Sequence, residues 1–161
     1  MEKLLSELES WLKDCSALVI IGVGNPLRRD DNIGIEIIRR LRGKTPDWVH
    51  LIESETMPEN FIQEILDIKP THVLIVDAAL MGSPPGDSKL IDPTRISGSA
   101  ISTHSLPLHL FSYFLTESLN VKVALLAIQP KDTNFGEGLT EDLERAAEEI
   151  SNYIVRAINS K

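Results

Sequence analysis

The sequence predicts a single α/β domain in three layers, and three observations carry that reading. Apolar runs of strand length recur along the 161 residues. Segments of helical periodicity separate them, the alternation that yields a largely parallel sheet covered on both faces. The length suits one well-filled core, and no repeat, linker or low-complexity tract marks a second domain, so residues 1–161 are read as one unit.

The elements follow in order. Residues 3–14 place Leu4, Leu5, Leu8, Trp11 and Leu12 on one helical stripe. "ALVIIGVG" (17–24) is a continuous apolar run that ends in glycines, the pattern of a strand buried on both faces. Ile37, Ile38 and Leu41 line a helix over 31–41, and Gly34 lets it lie close to the sheet. "WVHLIES" (48–54) is a second strand, followed by a helix over 58–68 that Pro58 opens. "THVLIVDAAL" (71–80) is a third buried strand, with Asp77 at its end. The turn "GSPPGD" leads into a short strand, "SKLID". A Ser-rich polar stretch (93–103) precedes a helix over 104–115 with Pro107 in its first turn. "VKVALLAI" (121–128) is the last strand, and a long helix over 140–158 carries Leu143, Ala147, Ile150, Ile154 and Ile158 on one stripe. Thr140 is its expected cap, and Glu141 and Asp142 suit the positive end of its dipole.

Composition narrows the function. Sixteen Lys and Arg against 24 Asp and Glu leave a net charge of −8, which argues against nucleic acid or an acidic membrane surface as partner. No apolar run approaches the roughly 18 residues of a membrane span. The start, "MEKLLSELESWLKD", lacks the pattern of a secretory signal. Cys15 is the only cysteine, so no internal disulfide forms and a cytoplasmic location is expected.

The chemistry concentrates in "IGVGNPLRRDDNIG" (21–34). Gly22 and Gly24 stand where a dinucleotide fold has its first two glycines, and Glu53 ends strand two, where such a fold places a ribose-binding carboxylate. The third glycine position is Leu27, however, and Asp30 and Asp31 put two negative charges at the helix mouth where pyrophosphate would sit. A lone Asp there is an ordinary cap. Two in succession, at the carboxyl end of a strand where α/β proteins bind ligands, point to a cation instead. Asp77 leaves the sheet at the same edge. His104, at the head of the fifth helix, is placed to reach it. Asp31, Asp77 and His104 form a two-carboxylate, one-imidazole set suited to a borderline divalent cation with open coordination positions. His50, His72 and His109 fall in strand or helix contexts away from that edge. Cys15 precedes strand one at the opposite end and is a poor nucleophile. Neither H-E-x-x-H nor G-x-S-x-G occurs.

At these residues the chain resembles the maturation endopeptidases of [NiFe] hydrogenases over nearly its full length. "GVGNPLRRDDNIG" is similar to the family's G-x-G-N-x-L-x-x-D-[DE]-x-x-G element, "LIVDAALMGSPPG" to its second element and "STHSLPL" to its T-H-x-x-[PL] element. The Asp-Asp form and "MPEN" (57–60) resemble the branch serving formate-hydrogenlyase (hydrogenase 3). "ESET" (53–56) departs from the Asp-Gly-Gly-Thr/Ser turn that many members carry after strand two. The resemblance implies a five-stranded mixed, mostly parallel sheet with "SKLID" antiparallel. It implies a cytoplasmic, aspartyl-type endopeptidase, expected to be a monomer, that removes a C-terminal extension from the hydrogenase large-subunit precursor after nickel insertion. Asp31, Asp77 and His104 carry over as metal ligands and catalytic groups. Nickel arrives with the substrate as a recognition handle, and no organic cofactor is implied. Two alternatives stay open at this stage: a non-catalytic metal-binding or chaperone module of the same assembly, and a nucleotide-binding α/β protein.

Overall fold

The computed structural model describes residues 2–93, 102–103 and 108–161, and for 102–103 the backbone alone. The five expected strands are present: β1 (Leu18–Val23), β2 (Val49–Glu55), β3 (His72–Leu80), β4 (Ser88–Ile91) and β6 (Lys122–Ile128). They form one mixed sheet in the order β2-β1-β3-β6-β4, parallel except for β4, which pairs antiparallel with β6 at an edge. A two-residue strand, β5 (Ser102–Thr103), pairs with Ala79 and Leu80, where β3 runs on beyond Asp77.

The uninterrupted apolar runs reflect burial on both faces. Leu18 and Ile20 of β1 point into one core with Leu74 and Val76 of β3 and Leu126 of β6. Val19, Ile21, Val73, Ile75 and Leu125 point into the other. α1 (Glu2–Trp11), α2 (Ile33–Leu41) and α5 (Glu141–Asn159) cover the first face, with Leu8, Ile37, Ile38, Leu41, Ile150 and Ile154 buried. α3 (Ile62–Ile68) and α4 (Leu108–Leu119) cover the second through Ile65, Phe111 and Leu115.

Four helix boundaries differ from expectation; the first is α1, which ends at Trp11 and not at 14. The second and third helices begin as 3-10 turns, Arg29–Asn32 and Pro58–Phe61, before settling into α geometry. α4 runs four residues farther than 115. The Ser112 hydroxyl donates to the Leu108 carbonyl, Leu119 packs on the core, and the chain leaves the helix at Asn120 with φ +54°. The expected start of that helix at His104 lies outside the described residues. Thr140 occupies the N-cap position of α5 but does not cap it, because its hydroxyl is committed to Asp30.

At the amino end of the sheet His72 is buried, its ring 4.9 Å from that of Trp11 and edge-on to it. Burial and the charge of Lys122 push its imidazole below the ordinary value, outweighing the opposing pull of the Trp11 backbone and Asp14. The unfolded chain therefore takes up this proton more readily than the folded one. The stability held by neutral His72 is complete above the unfolded value of about 6.5 and is lost as pH falls below it. The melting temperature is expected to drop between pH 7 and 5, and His72→Phe, which keeps a ring against Trp11, to flatten that drop. Thermal melts of both proteins across this range check it.

Candidate active site

Three glycines build the site by letting a helix mouth sit directly on strand ends. A β-carbon at Gly34 would lie 2.3 Å from both the Val23 and the Val76 carbonyl oxygens, and one at Gly22 would lie 2.4 Å from the Gly34 carbonyl oxygen. At Gly24 it would meet the Asp31 carbonyl oxygen at 2.6 Å. Side chains at these positions would push α2 and its leading turn off the sheet. With glycines there, Arg29–Asn32 packs against β3, and the Asn25 amide just beyond β1 donates to the Asp31 carbonyl. Asp31 is brought to the end of β1, level with Asp77, which does not end its strand as expected: β3 stays buried through Ala79 and runs on to Leu80. Asp31 and Asp77 are both buried, at 3% and 1% exposure. By strand alternation Asp77 shares a face with Ile75 and Ala79, the side carrying α4. The third expected member, His104, lies outside the described residues, and among the described residues no group of three His, Cys, Asp or Glu is placed to hold a metal.

The two adjacent aspartates divide their work, which corrects the reading of Asp30 as a second cation-facing carboxylate. Asp30 is fully buried and turned toward the loop that follows β6. Its Oδ2 accepts from the Lys131 and Asp132 amides, both at 2.9 Å, and from the Thr140 hydroxyl at 2.8 Å. Its Oδ1 accepts from the Thr140 amide at 2.7 Å. A carboxylate can accept this many donors, and Asp30 is thereby a clamp between the helix mouth and residues 131–140.

The same geometry removes the nucleotide reading. Phosphate binding needs free amides at the glycine turn. Here the Gly24 amide donates to the Glu55 carbonyl, Asn25 to Asp31, Leu27 to the Asn25 side chain and Arg28 to the Asn25 carbonyl. Arg29 donates to Gly136, Asp30 to Asp132 and Asp31 to Arg28, while Pro26 has no N–H. Every amide from Gly24 to Asp31 is spent within the chain. Glu53 is no ribose ligand either: Arg39 Nε at 3.0 Å and Arg42 Nη2 at 2.8 Å hold it. Burial pushes the Glu53 carboxyl up, but these two arginines outweigh it and keep it below the ordinary value. Cys15 is buried behind β1, and burial pushes its thiol up despite the Thr71 hydroxyl beside it, the opposite of what a thiolate nucleophile requires. His50 is exposed on β2 and His109 half-buried on α4.

The "ESET" turn makes a glycine-like turn without glycines. The β1–β2 register jumps from Gly22↔Glu53 to Val23↔Glu55, so Ser54 is a bulge, and its hydroxyl donates to the Gly22 carbonyl at 3.0 Å. Glu55 then takes φ +53°, a left-handed conformation that costs a residue with a β-carbon about 1–2 kcal/mol. Its side chain is exposed. Glu55→Gly is therefore expected to stabilise the fold by about 0.5–1 kcal/mol, net of the extra freedom glycine has when unfolded. For a chain of this size that is a rise of roughly 2–3 °C in melting temperature, read by calorimetry.

Comparison with known proteins gives a consistent picture. A family model described as HycI, hydrogenase maturation protease, matches residues 35–157. The hydrogenase 3 maturation protease of Escherichia coli K12 is 34% identical over 82% of this chain and 85% of its own length. A Methanocaldococcus jannaschii protein named as a hydrogenase maturation protease is 34% identical over 91% of each chain. The crystal structure of a [NiFe] hydrogenase maturation protease HycI from Thermococcus kodakarensis KOD1 superposes with a TM-score of 0.89 at 30% identity, covering 95% of this chain and 99% of that one.

Proposed function

This chain belongs to the hydrogenase maturation protease family, and from that premise we propose that it removes the C-terminal extension of a [NiFe]-hydrogenase large-subunit precursor once nickel has been inserted. What supports the reading is that the turn carrying Asp31 packs against β3, the strand carrying Asp77, that both carboxylates are buried, and that the amides from Gly24 to Asp31 are spent within the chain and so favour no anion. Two ionised carboxylates close together repel, and a divalent cation relieves the repulsion. Nickel in this scheme is part of the substrate. It keeps its cysteine ligands from the precursor while gaining Asp31, Asp77 and His104 from the protease. The hydrogenase 3 branch fits the Asp-Asp form and the identity to the Escherichia coli enzyme.

A metal held there can polarise the scissile carbonyl or lower the pKa of an attacking water. Recognition alone makes the protease a checkpoint: a precursor without nickel offers nothing to the two carboxylates. The test is incubation of the chain with nickel-loaded and nickel-free precursor, read by intact mass. The loaded form is expected to lose its extension and the free form to stay whole. Efficient cutting of rigorously nickel-free precursor overturns the nickel handle. Metal-dependent association without cleavage of either form favours the chaperone reading.

His104→Ala is expected to lower processing of the nickel-loaded precursor by an order of magnitude or more. A time course of the mass shift checks it, and normal processing by this variant removes His104 from the proposed set.

A further inference from the structure

We propose that Leu27 and Phe135 form a rigid apolar ridge on which the precursor protein docks, through an apolar stretch next to the segment that is cut. The inference rests on the function proposed above and adds the place where the macromolecular part of the substrate sits. Among the described residues these are the two most exposed large apolar side chains, at 61% and 76%. Single exposed hydrophobes are ordinary on a soluble surface. This pair differs in how it is mounted.

Leu27 lies on the turn leaving β1 and Phe135 on the loop leaving β6, both at the carboxyl edge that carries Asp31 and Asp77. The two backbones are stitched together at an isolated parallel bridge, Arg28 beside Gly136, with Leu27 and Phe135 each the residue before its bridge partner. Gly136 donates to the Leu27 carbonyl at 2.9 Å, and the Arg29 amide returns a bond to the Gly136 carbonyl at 3.1 Å. Arg28 Nε donates to the Thr133 carbonyl at 3.0 Å, and its guanidinium lies 5.1 Å from the centre of the Phe135 ring. The approach is close enough that a β-carbon at Gly136 would strike the Arg29 guanidinium at 2.7 Å. The Asp30 carboxylate pins the foot of both loops. The ridge is thus ordered before any partner arrives, and the ordering cost that usually weakens loop-borne contacts is already met within the fold.

The occupant follows from continuity with the site. The clamp Asp30 and the proposed ligand Asp31 are adjacent on one turn, three and four residues after Leu27. A substrate group that reaches Asp31 past the rim of that turn brings the chain that carries it across the ridge. An apolar patch on the precursor would cover both side chains, with Phe135 as an aromatic anchor of the kind that dominates protein interfaces.

The experiment compares wild type, Leu27→Ser, Phe135→Ser and the double variant for binding to the nickel-loaded large-subunit precursor by biolayer interferometry. Cleavage is followed in parallel by intact mass, and circular dichroism confirms that each variant is folded. The double variant is expected to bind at least tenfold more weakly and to raise KM by a similar factor, with kcat within about twofold of wild type. Binding unchanged in the double variant overturns the ridge, as does a wild type that does not bind the precursor. Wild type that binds but does not cut sinks the proposed protease function and still leaves the ridge decided by the affinities. A concentration-dependent dimer of wild type that the double variant loses, with precursor affinity intact, assigns the ridge to a second copy and overturns the proposal.

Discussion

Asp31→Asn is expected to abolish processing of a nickel-loaded precursor while the fold survives. The substitution keeps the size and planarity of the side chain and removes one negative charge from a site with 3% exposure. Under the proposed function, what it takes away is a charge that the substrate's cation would require and one of the two carboxylates whose repulsion that cation would relieve. Loss of a group that merely supports a metal ligand costs about 10–100-fold, so loss of a ligand should cost more than 100-fold. Intact mass over a time in which wild type completes the reaction reads the outcome, and circular dichroism reads the fold. Full activity in this variant removes Asp31 from the mechanism. Loss of activity together with loss of the native spectrum shifts Asp31 to a structural role.

Much of this architecture was legible in the residues, because the signals are local. Continuous apolar runs such as Leu18–Val23 and Val73–Val76 announce strands buried on both faces, and the structure divides their alternate side chains between two cores. Gly34 announced close packing of α2, and a β-carbon there would collide with two strand carbonyls. Asp77 read in sequence as the end of the third strand, but that strand stays buried through Ala79 and runs on to Leu80, where it pairs with Ser102 and Thr103. What could not be read depends on partners far along the chain. Asp30 and Asp31 look equivalent in sequence. They are told apart by donors at residues 131–140, roughly a hundred positions away. The same distance hides the bridge between Arg28 and Gly136. Glu53 looked like a ribose ligand until Arg39 and Arg42, from the far end of α2, folded back onto it. The left-handed turn at Glu55 was masked because the glycine that usually signals it is missing.

The division of labour between the paired aspartates makes a second, opposite expectation: Asp30→Asn should destabilise the fold that Asp31→Asn leaves intact. Four donors converge on the Asp30 carboxylate, three on Oδ2 and one on Oδ1. An amide in its place offers one accepting oxygen. Its –NH2 must then face either the Thr140 amide or the group formed by Lys131, Asp132 and the Thr140 hydroxyl, setting donor against donor whichever way it is turned. A hydrogen bond to a charged group contributes about 1.5–3 kcal/mol, and a buried donor left without an acceptor costs about 1–3 kcal/mol. The Thr140 and Lys131 donors are half-buried, so water recovers part of the loss. The net destabilisation should be about 3–5 kcal/mol, which for a chain of this length lowers the melting temperature by roughly 10 °C or more. Asp30→Ala should fall in the same range, since it leaves the same donors unmet without adding a repulsive one. Calorimetry of the two single Asn variants provides the comparison within one dipeptide. If Asp30→Asn melts with wild type, the carboxylate clamp does not hold the 131–140 loop to the helix mouth, and the rigid footing of the Leu27–Phe135 ridge fails with it.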